Sequence, residues 1–361
     1  MTSHDPILSR RALIKSGIGL AAATAFTTAS FANDEAKDKS IAYFLVGDTH
    51  YLADKMNPAK MDETSSLVCG RLINTLNRLP GSELPETLGG GKVAQPRGVI
   101  HAGDLIDTGD KNGGPHPAMQ QTEWDAFQSG FGLNGGDGKL RWPVFEVHGN
   151  HDSPSGKGIT IDGIIARNKT RKGLVNVSDN GLHFAWNWGD LHCVNLGIVV
   201  GSDAKIDRRR RYAPLDSLPF LIDDLKKNIG DSGKPVLITH HIDVLRYNKP
   251  CDASAPFASQ EWDPCDVAAF HAALKGYRIA AIQFGHTHAR SIIHWNGTGK
   301  ADQGISLINT DNAGHFHSRT QAFFYMEVTA THLIAREYRT ADAWETGEWN
   351  PMSWKLPIVT A

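Results

Sequence analysis

The chain has 361 residues, of which 37 are Lys or Arg, 39 are Asp or Glu and 17 are His. This length suggests one large domain or two ordinary ones, with a core that needs no disulfide support. The ordinary apolar content excludes disordered, collagen-like and multi-span membrane proteins. A net charge of -2 gives no basic field, so no nucleic-acid partner is indicated.

The first 32 residues have the features of an export signal. Arg10 and Arg11 are followed by Leu13, a short apolar stretch covers residues 17–26, and small residues flank Phe31. The pattern resembles a twin-arginine signal, which implies the twin-arginine export machinery as a partner and a periplasmic or secreted protein. An ordinary Sec signal is the alternative. The mature chain, residues 33–361, has no segment apolar enough to span a membrane.

Short apolar runs then alternate with amphipathic helical patterns. Strands are predicted at residues 41–46, 98–101, 144–148, 236–239 and 279–284, each ending at a polar cluster. Apolar residues at helical spacing predict helices around residues 69–76, 218–225 and 267–274. This alternation predicts an α/β fold, in which ligands bind at the carboxyl ends of the strands.

The second half of the chain is richer in strands. Gly189-Asp190 separates two apolar runs and predicts a hairpin. Further strands are predicted within residues 290–295, 304–309 and 321–338. Because neither an internal repeat nor a clean linker is visible, we expect a single domain over residues 33–361.

Five short polar motifs follow the predicted strands. They are Gly47-Asp48-Thr49-His50, Gly103-Asp104-Leu105-Ile106-Asp107, Gly149-Asn150-His151-Asp152, Thr239-His240-His241 and Gly285-His286-Thr287-His288. Each motif offers a hard oxygen or an imidazole nitrogen, and none offers a thiolate. This donor set suits Fe, Mn or Zn ions.

Together the five motifs resemble those of the calcineurin-like metallophosphoesterases, over residues 41–338. The resemblance implies a fold of two packed mixed β-sheets flanked by helices, a four-layer αββα sandwich. It also implies two metal ions. One would be held by Asp48, His50, Asp104 and His288, and the other by Asp104, Asn150, His240 and His286. Asp104 would bridge the two ions, and a hydroxide at the second bridge would attack the phosphate ester.

Two further residues receive catalytic roles from the resemblance. His151 would face the substrate and protonate the leaving group. Asp107 would orient His151 through a carboxylate–imidazole hydrogen bond and raise its pKa. Asp152 is expected to be a structural acceptor. The choice of His240 over His241 as a ligand follows the family pattern alone.

The favoured function is hydrolysis of small phosphate esters outside the cytoplasm. The alternatives are a phosphodiesterase for glycerophosphodiesters, nucleotides or phospholipid headgroups, and a phosphate-binding module on an inactive phosphatase fold. Thr108 stands where Ser/Thr protein phosphatases carry Arg, which disfavours a phosphoprotein substrate. Asn312, His315 and His317 could reach the mouth of the site, and Cys251 and Cys265 could form a disulfide.

Overall fold

A computed structural model of the protein describes residues 40–203, 210–247, 250–255 and 260–361. The export signal predicted at residues 1–32 lies outside the described residues. In the described part of the chain, no helix has the length and apolar character needed to cross a bilayer.

The described chain alternates strands and helices as the sequence pattern predicts. The strands are β1 Ile41–Val46, β2 Ala53–Asp54, β3 Asn57–Met61, β4 Val99–His101, β5 Val144–Glu146, β6 Leu174–Val177, β7 Phe184–Trp188, β8 Leu191–Asn195, β9 Val236–Thr239, β10 Arg278–Phe284, β11 Ser291–Trp295, β12 Lys300–Ala301, β13 Ile305–Asn309, β14 Gln321–Val328, β15 His332–Thr340, β16 Glu348–Pro357 and β17 Val359–Thr360. The helices are α1 Glu63–Arg78, α2 His116–Phe131, α3 Ile159–Asn168, α4 Ser217–Asp224 and α5 Pro264–Leu274.

Two large sheets form the centre of the fold. The first has the order β16-β15-β14-β1-β4-β5, and the second has the order β12-β11-β13-β10-β9-β8-β7-β6, with β17 paired to β10. Both sheets are mixed. In the first, β1, β4 and β5 are parallel, and in the second, β8, β9, β10 and β13 are parallel.

The alternation of side chains along β1 shows how the layers pack. Tyr43 and Leu45 face the second sheet and join the core between the sheets. Phe44 and Val46 point to the opposite face and pack beneath α1, α2 and α3. The second sheet packs its own outer face against α4 and α5. The predicted four-layer αββα sandwich is therefore confirmed.

Some local features differ from the sequence pattern. Helices α2 and α3 form in segments where the spacing of apolar residues does not predict a helix. Ile222, which lies within the apolar pattern at residues 218–225, is 48% exposed. The strands β16 and β17 continue the sheets beyond residue 338, where the family resemblance was expected to end.

The four cysteines fall into two groups. Cys251 and Cys265 form the disulfide that the sequence left open. Cys69 and Cys193 are buried free thiols, which pack as small apolar side chains.

The inter-sheet core makes a stability prediction. Leu45 is fully buried between the sheets, whereas Leu67 on α1 is 51% exposed. Leu45→Ala should lower the free energy of unfolding by about 2–5 kcal/mol, since it removes buried methyl groups and leaves a cavity. Leu67→Ala, the matched control, should change it by less than about 0.5 kcal/mol. Urea denaturation measures both, and equal effects would contradict this account of the core.

Candidate metal centre

The predicted ligands lie at one end of both sheets. The loops after β1, β4 and β5 carry the first three motifs, and the loops after β9 and β10 carry the last two. Because these strands are parallel within each sheet, their carboxyl ends meet at one edge. The motifs are thereby gathered into one place from distant parts of the chain.

Several residues in these loops have a left-handed backbone conformation. Nine described non-glycine residues have positive φ, and five of them are predicted ligands. Their φ values are 55° for Asp48, 43° for His50, 52° for Asp104, 77° for His286 and 50° for His288. Such conformations cost about 1–3 kcal/mol each and concentrate at functional sites, where the surrounding structure enforces them.

Glycines from one motif make room for the ligands of another. A Cβ at Gly149 would lie 2.2 Å from Oδ1 of Asp104, and one at Gly285 would lie 2.4 Å from Oδ2 of Asp48. A Cβ at Gly103 would lie 2.4 Å from Nδ1 of His241. These glycines are therefore required by close approach, as well as by the turn at Gly103, where φ is +99°.

Asp104 is held so that its two carboxylate oxygens face different partners. Oδ1 accepts a hydrogen bond from the backbone N–H of His151 at 2.8 Å. Oδ2 lies 3.6 Å from Nε2 of His50 and 3.2 Å from Nε2 of His241. One oxygen of Asp104 thus faces imidazoles from both sheets.

Asp152 holds the second and third motifs together. Its buried carboxylate accepts hydrogen bonds from the backbone N–H groups of Leu105, Ile106 and Gly149 at 2.7–3.1 Å. The contacts agree with the expected role of a structural acceptor behind the ligands.

We call the first group of ligand atoms the His50 cluster. It consists of Asp48, His50, Asp104 and His288, whose ligand atoms lie within 4.8 Å of one another. Nε2 of His50 is 3.1 Å from Nε2 of His288, which is 3.6 Å from Oδ1 of Asp48. The structure brings together every residue predicted for this site.

The second group, the His241 cluster, consists of Asp104, His241, His286 and Asn150. Ligand atoms of the first three lie within 4.8 Å of one another. Oδ1 of Asn150 lies 3.0 Å from Nε2 of His241. Asp104 belongs to both clusters, which is the arrangement expected of a bridging carboxylate.

The choice of His240 as a ligand is corrected by the structure. His240 is fully buried, and its ring stacks on Phe284 at 5.5 Å and contacts Trp262 at 5.2 Å. The reason is the two-residue period of β9: Val236 and Ile238 face the helices, and His240 continues on that face. His241 has the parity of Leu237, which faces the other sheet, and its ring reaches Asp104.

The hydrogen bond predicted between the carboxylate of Asp107 and the ring of His151 is also corrected. Its Oδ1 lies 3.2 Å from Nδ1 of His50, while Oδ2 accepts from Nζ of Lys111 at 2.7 Å. His151 instead directs Nδ1 to the backbone carbonyl of Asp107, at 3.2 Å. The Asp107 carboxylate is 4.0 Å from that ring, because the loop turns it toward His50.

The ligand distances fit metal ions. Ligands about 2.1 Å from a metal, at roughly 90–109° to each other, are about 3.0–3.4 Å apart. The nearest pairs are His50–His288 at 3.1 Å, His241–Asp104 at 3.2 Å and His241–Asn150 at 3.0 Å. Facing ring nitrogens and a carboxylate shared by two imidazoles are arrangements that a cation would stabilise.

The electrostatics of the clusters also fit cations. Burial raises the pKa of the Asp48 carboxyl well above its usual range, so a nearby positive charge is needed to keep it ionised. Burial opposes protonation of His241, but the charge of Asp104 outweighs it and raises the pKa of His241 to about 9. This position therefore favours a positive charge, which a bound cation would supply in place of the proton. Burial, with His50 and His315 nearby, lowers the pKa of His288 to about 3, which leaves a neutral ring suited to coordination.

Two further residues lie beside the ligand clusters. The sequence indicated only a general position for one of them and gave no sign of the other. His315 is half-buried, with ring centroids 4.7 Å from His50 and 4.9 Å from His288. Its position past the fifth motif suggested only that it could reach the mouth of the site. Glu261, whose Oε1 lies 3.2 Å from Nε2 of His286, belongs to no motif and has no signal in the sequence.

The sequence matches the calcineurin-like phosphoesterase family over residues 42–290. The matched region contains all five motifs and both ligand clusters. The chain therefore belongs to the calcineurin-like phosphoesterase family, a class of metal-dependent phosphoesterases.

Solved structures give weaker similarities. A dimetal phosphatase from Danio rerio aligns with a TM-score of 0.48 at 13% identity, covering 89% of this chain and 99% of that one. An uncharacterised protein from Streptococcus pneumoniae aligns with a TM-score of 0.33 at 10% identity, covering 88% and 98%. Vps29 from Chaetomium thermophilum aligns with a TM-score of 0.32 at 11% identity, covering 89% and 100%. These scores add nothing to the family match, and a search of curated proteins found no match.

The two adjacent histidines give a direct test of the geometry. His241→Ala should release metal from one site, since it removes an imidazole that contacts Asp104. His240→Phe should retain the metal content of the wild type, because a phenyl ring can keep the stacking on Phe284. Metal per chain, measured by mass spectrometry after dialysis, distinguishes them. Loss of metal from His240→Phe, with none from His241→Ala, would contradict the assignment of His241 as the ligand.

Proposed function

We propose that this protein is an exported hydrolase of small phosphate esters that works with two metal ions. The observation that carries the proposal is the position of Asp104, whose Oδ2 faces His50 of one cluster and His241 of the other. A carboxylate shared in this way suits two cations close enough to act on one phosphate.

The residues present would hold the ions in two sets. Asp48, His50, Asp104 and His288 would bind one, and Asp104, Asn150, His241 and His286 would bind the other. The imidazole, carboxylate and amide donors suit Fe, Mn or Zn. When bound, such ions supply Lewis-acid stabilisation of a phosphate ester and lower the pKa of an attacking water.

His151 would act on the leaving group. Its Nδ1–H donates to the carbonyl oxygen of Asp107 at 3.2 Å, which fixes the ring and leaves Nε2 for a substrate. The side chain is 33% exposed, so a ligand can reach it. Burial opposes protonation of this ring, but the charges of Asp104 and Asp107 outweigh that effect and raise the pKa of His151. A raised pKa favours the protonated form of the ring, and a protonated, accessible imidazole is suited to donate a proton to a leaving oxygen.

Two observations support export. Residues 1–32 carry the twin-arginine-like pattern, which favours the twin-arginine machinery as the transport partner. The Cys251–Cys265 disulfide suits an oxidising compartment such as the periplasm. The proposed location is therefore periplasmic or secreted.

Removal of the shared carboxylate charge tests the proposed function. Asp104→Asn should weaken both metal sites together and abolish most hydrolysis, whereas the exposed Asp231→Asn should behave as the wild type. The assay is metal content, with hydrolysis rates for a panel of phosphate monoesters and diesters. A wild-type protein that binds metal but hydrolyses no ester in the panel would support the phosphate-binding alternative instead. Two tightly bound metals in Asp104→Asn would contradict the shared role.

His151 can be tested through the leaving group. General acid catalysis contributes about 10²–10⁴-fold, so His151→Ala should approach that loss of kcat for alkyl phosphates, whose alkoxides need a proton. For nitrophenyl phosphate, which has a good leaving group, the loss should be clearly smaller. Metal content should not change, since the ligands remain. Equal losses of kcat for both substrates would mean that His151 only stabilises the charge of the phosphate.

A further inference from the structure

The side chain of Glu261 contacts a residue of the His241 cluster from outside. Oε1 lies 3.2 Å from Nε2 of His286, and the carboxylate is only 10% exposed. Oε2 pairs with Nε of Arg246, and Nη1 of Arg211 lies 4.0 Å from Oε1. Glu261 therefore links a histidine of the metal centre to two arginines.

A histidine has two ring nitrogens, and the partner of one determines which is available for a metal. One ring nitrogen of His286 lies within 4.8 Å of ligand atoms of Asp104 and His241. Because Nε2 faces Glu261, Nδ1 is the nitrogen that remains available to a metal. A carboxylate in this position fixes the tautomer and the ring orientation and makes the imidazole a better donor.

The other cluster contains the same arrangement with the nitrogens exchanged. Oδ1 of Asp107 lies 3.2 Å from Nδ1 of His50, whose Nε2 faces Oδ2 of Asp104 at 3.6 Å. Asp107 pairs with Lys111 as Glu261 pairs with Arg246. Each cluster thus has one histidine held by a carboxylate that is itself paired with a basic residue.

The residues that directly follow Glu261 are anchored to the outer layer of the fold. The next residue, Trp262, is fully buried, donates from Nε1 to the carbonyl of Ile242 at 3.0 Å and contacts the ring of His240. Three residues later, Cys265 at the start of α5 forms the disulfide with Cys251. These contacts keep the carboxylate beside His286 without help from a motif.

We propose that Glu261 is a positioning residue of the metal centre, which orients His286 so that its Nδ1 faces the His241 cluster. The inference rests on the proposed two-metal function and adds a residue that none of the five motifs contains. Its role requires no contact with substrate.

The test measures metal affinity in the full chain. Zn²⁺ is titrated against a chromophoric chelator to give a dissociation constant for each site. Glu261→Ala should weaken one site by about 10–100-fold, the range for loss of a carboxylate that orients a ligating histidine. Glu261→Gln should weaken it less, since the amide oxygen still accepts a hydrogen bond. The control is Glu345→Ala, an exposed residue paired with Arg71, which should change neither constant.

A double-mutant cycle tests whether Glu261 affects metal affinity through His286. In a His286→Ala background, Glu261→Ala should have no further effect on either site, since the ring that it orients is gone. Circular dichroism confirms that each variant is folded. Unchanged affinity in Glu261→Ala, equal weakening of both sites, or a further loss in the His286→Ala background would overturn the inference. A wild-type protein that binds Zn²⁺ at neither site would instead refute the proposed function.

Discussion

The metal centre depends on the orientation of the Asp104 carboxylate. One of its oxygens accepts a hydrogen bond from the backbone, and the other faces the histidine ligands. The backbone N–H of His151 holds Oδ1 at 2.8 Å, which leaves Oδ2 facing imidazoles from both sheets. The contact is possible because Gly149 has no side chain, since a Cβ there would lie 2.2 Å from Oδ1. A rotation of this one carboxylate would disturb both ligand clusters.

Much of the fold could be predicted because buried parallel strands are short apolar runs that end at polar residues. The pattern at residues 41–46 coincides with β1, and that at 236–239 coincides with β9. Helix α2 could not be predicted in this way, because Glu123 and Gly130 occupy its buried face. Glu123 accepts hydrogen bonds from Ala53 and Thr108. These tertiary contacts stabilise helix α2, which the spacing of apolar residues does not predict.

The site could be predicted as a set of motifs, but the roles of three residues in it could be assigned only from the three-dimensional structure. Successive residues of β9 point to opposite faces of the sheet, and this alternation decides between His240 and His241. It could not be read from the sequence, because the sequence defines the exact end of a strand poorly. The direction of the Asp107 carboxylate depends on the turn after the bridging residue, which places it on His50. Glu261 stands 25 residues before its partner and in no pattern, so only tertiary structure brings the two together.

The ligands of the metal centre come from both sheets, and this has a consequence for the order of folding. The backbone N–H of His286 donates to Asp48 across 238 residues of sequence. Contacts between such distant residues require a large loop to close, which costs entropy and slows folding. A half-folded chain with only its first sheet would hold Asp48 and His50 but no imidazole from the loop after β10. Complete ligand sets at both clusters would therefore exist only after the two sheets have met.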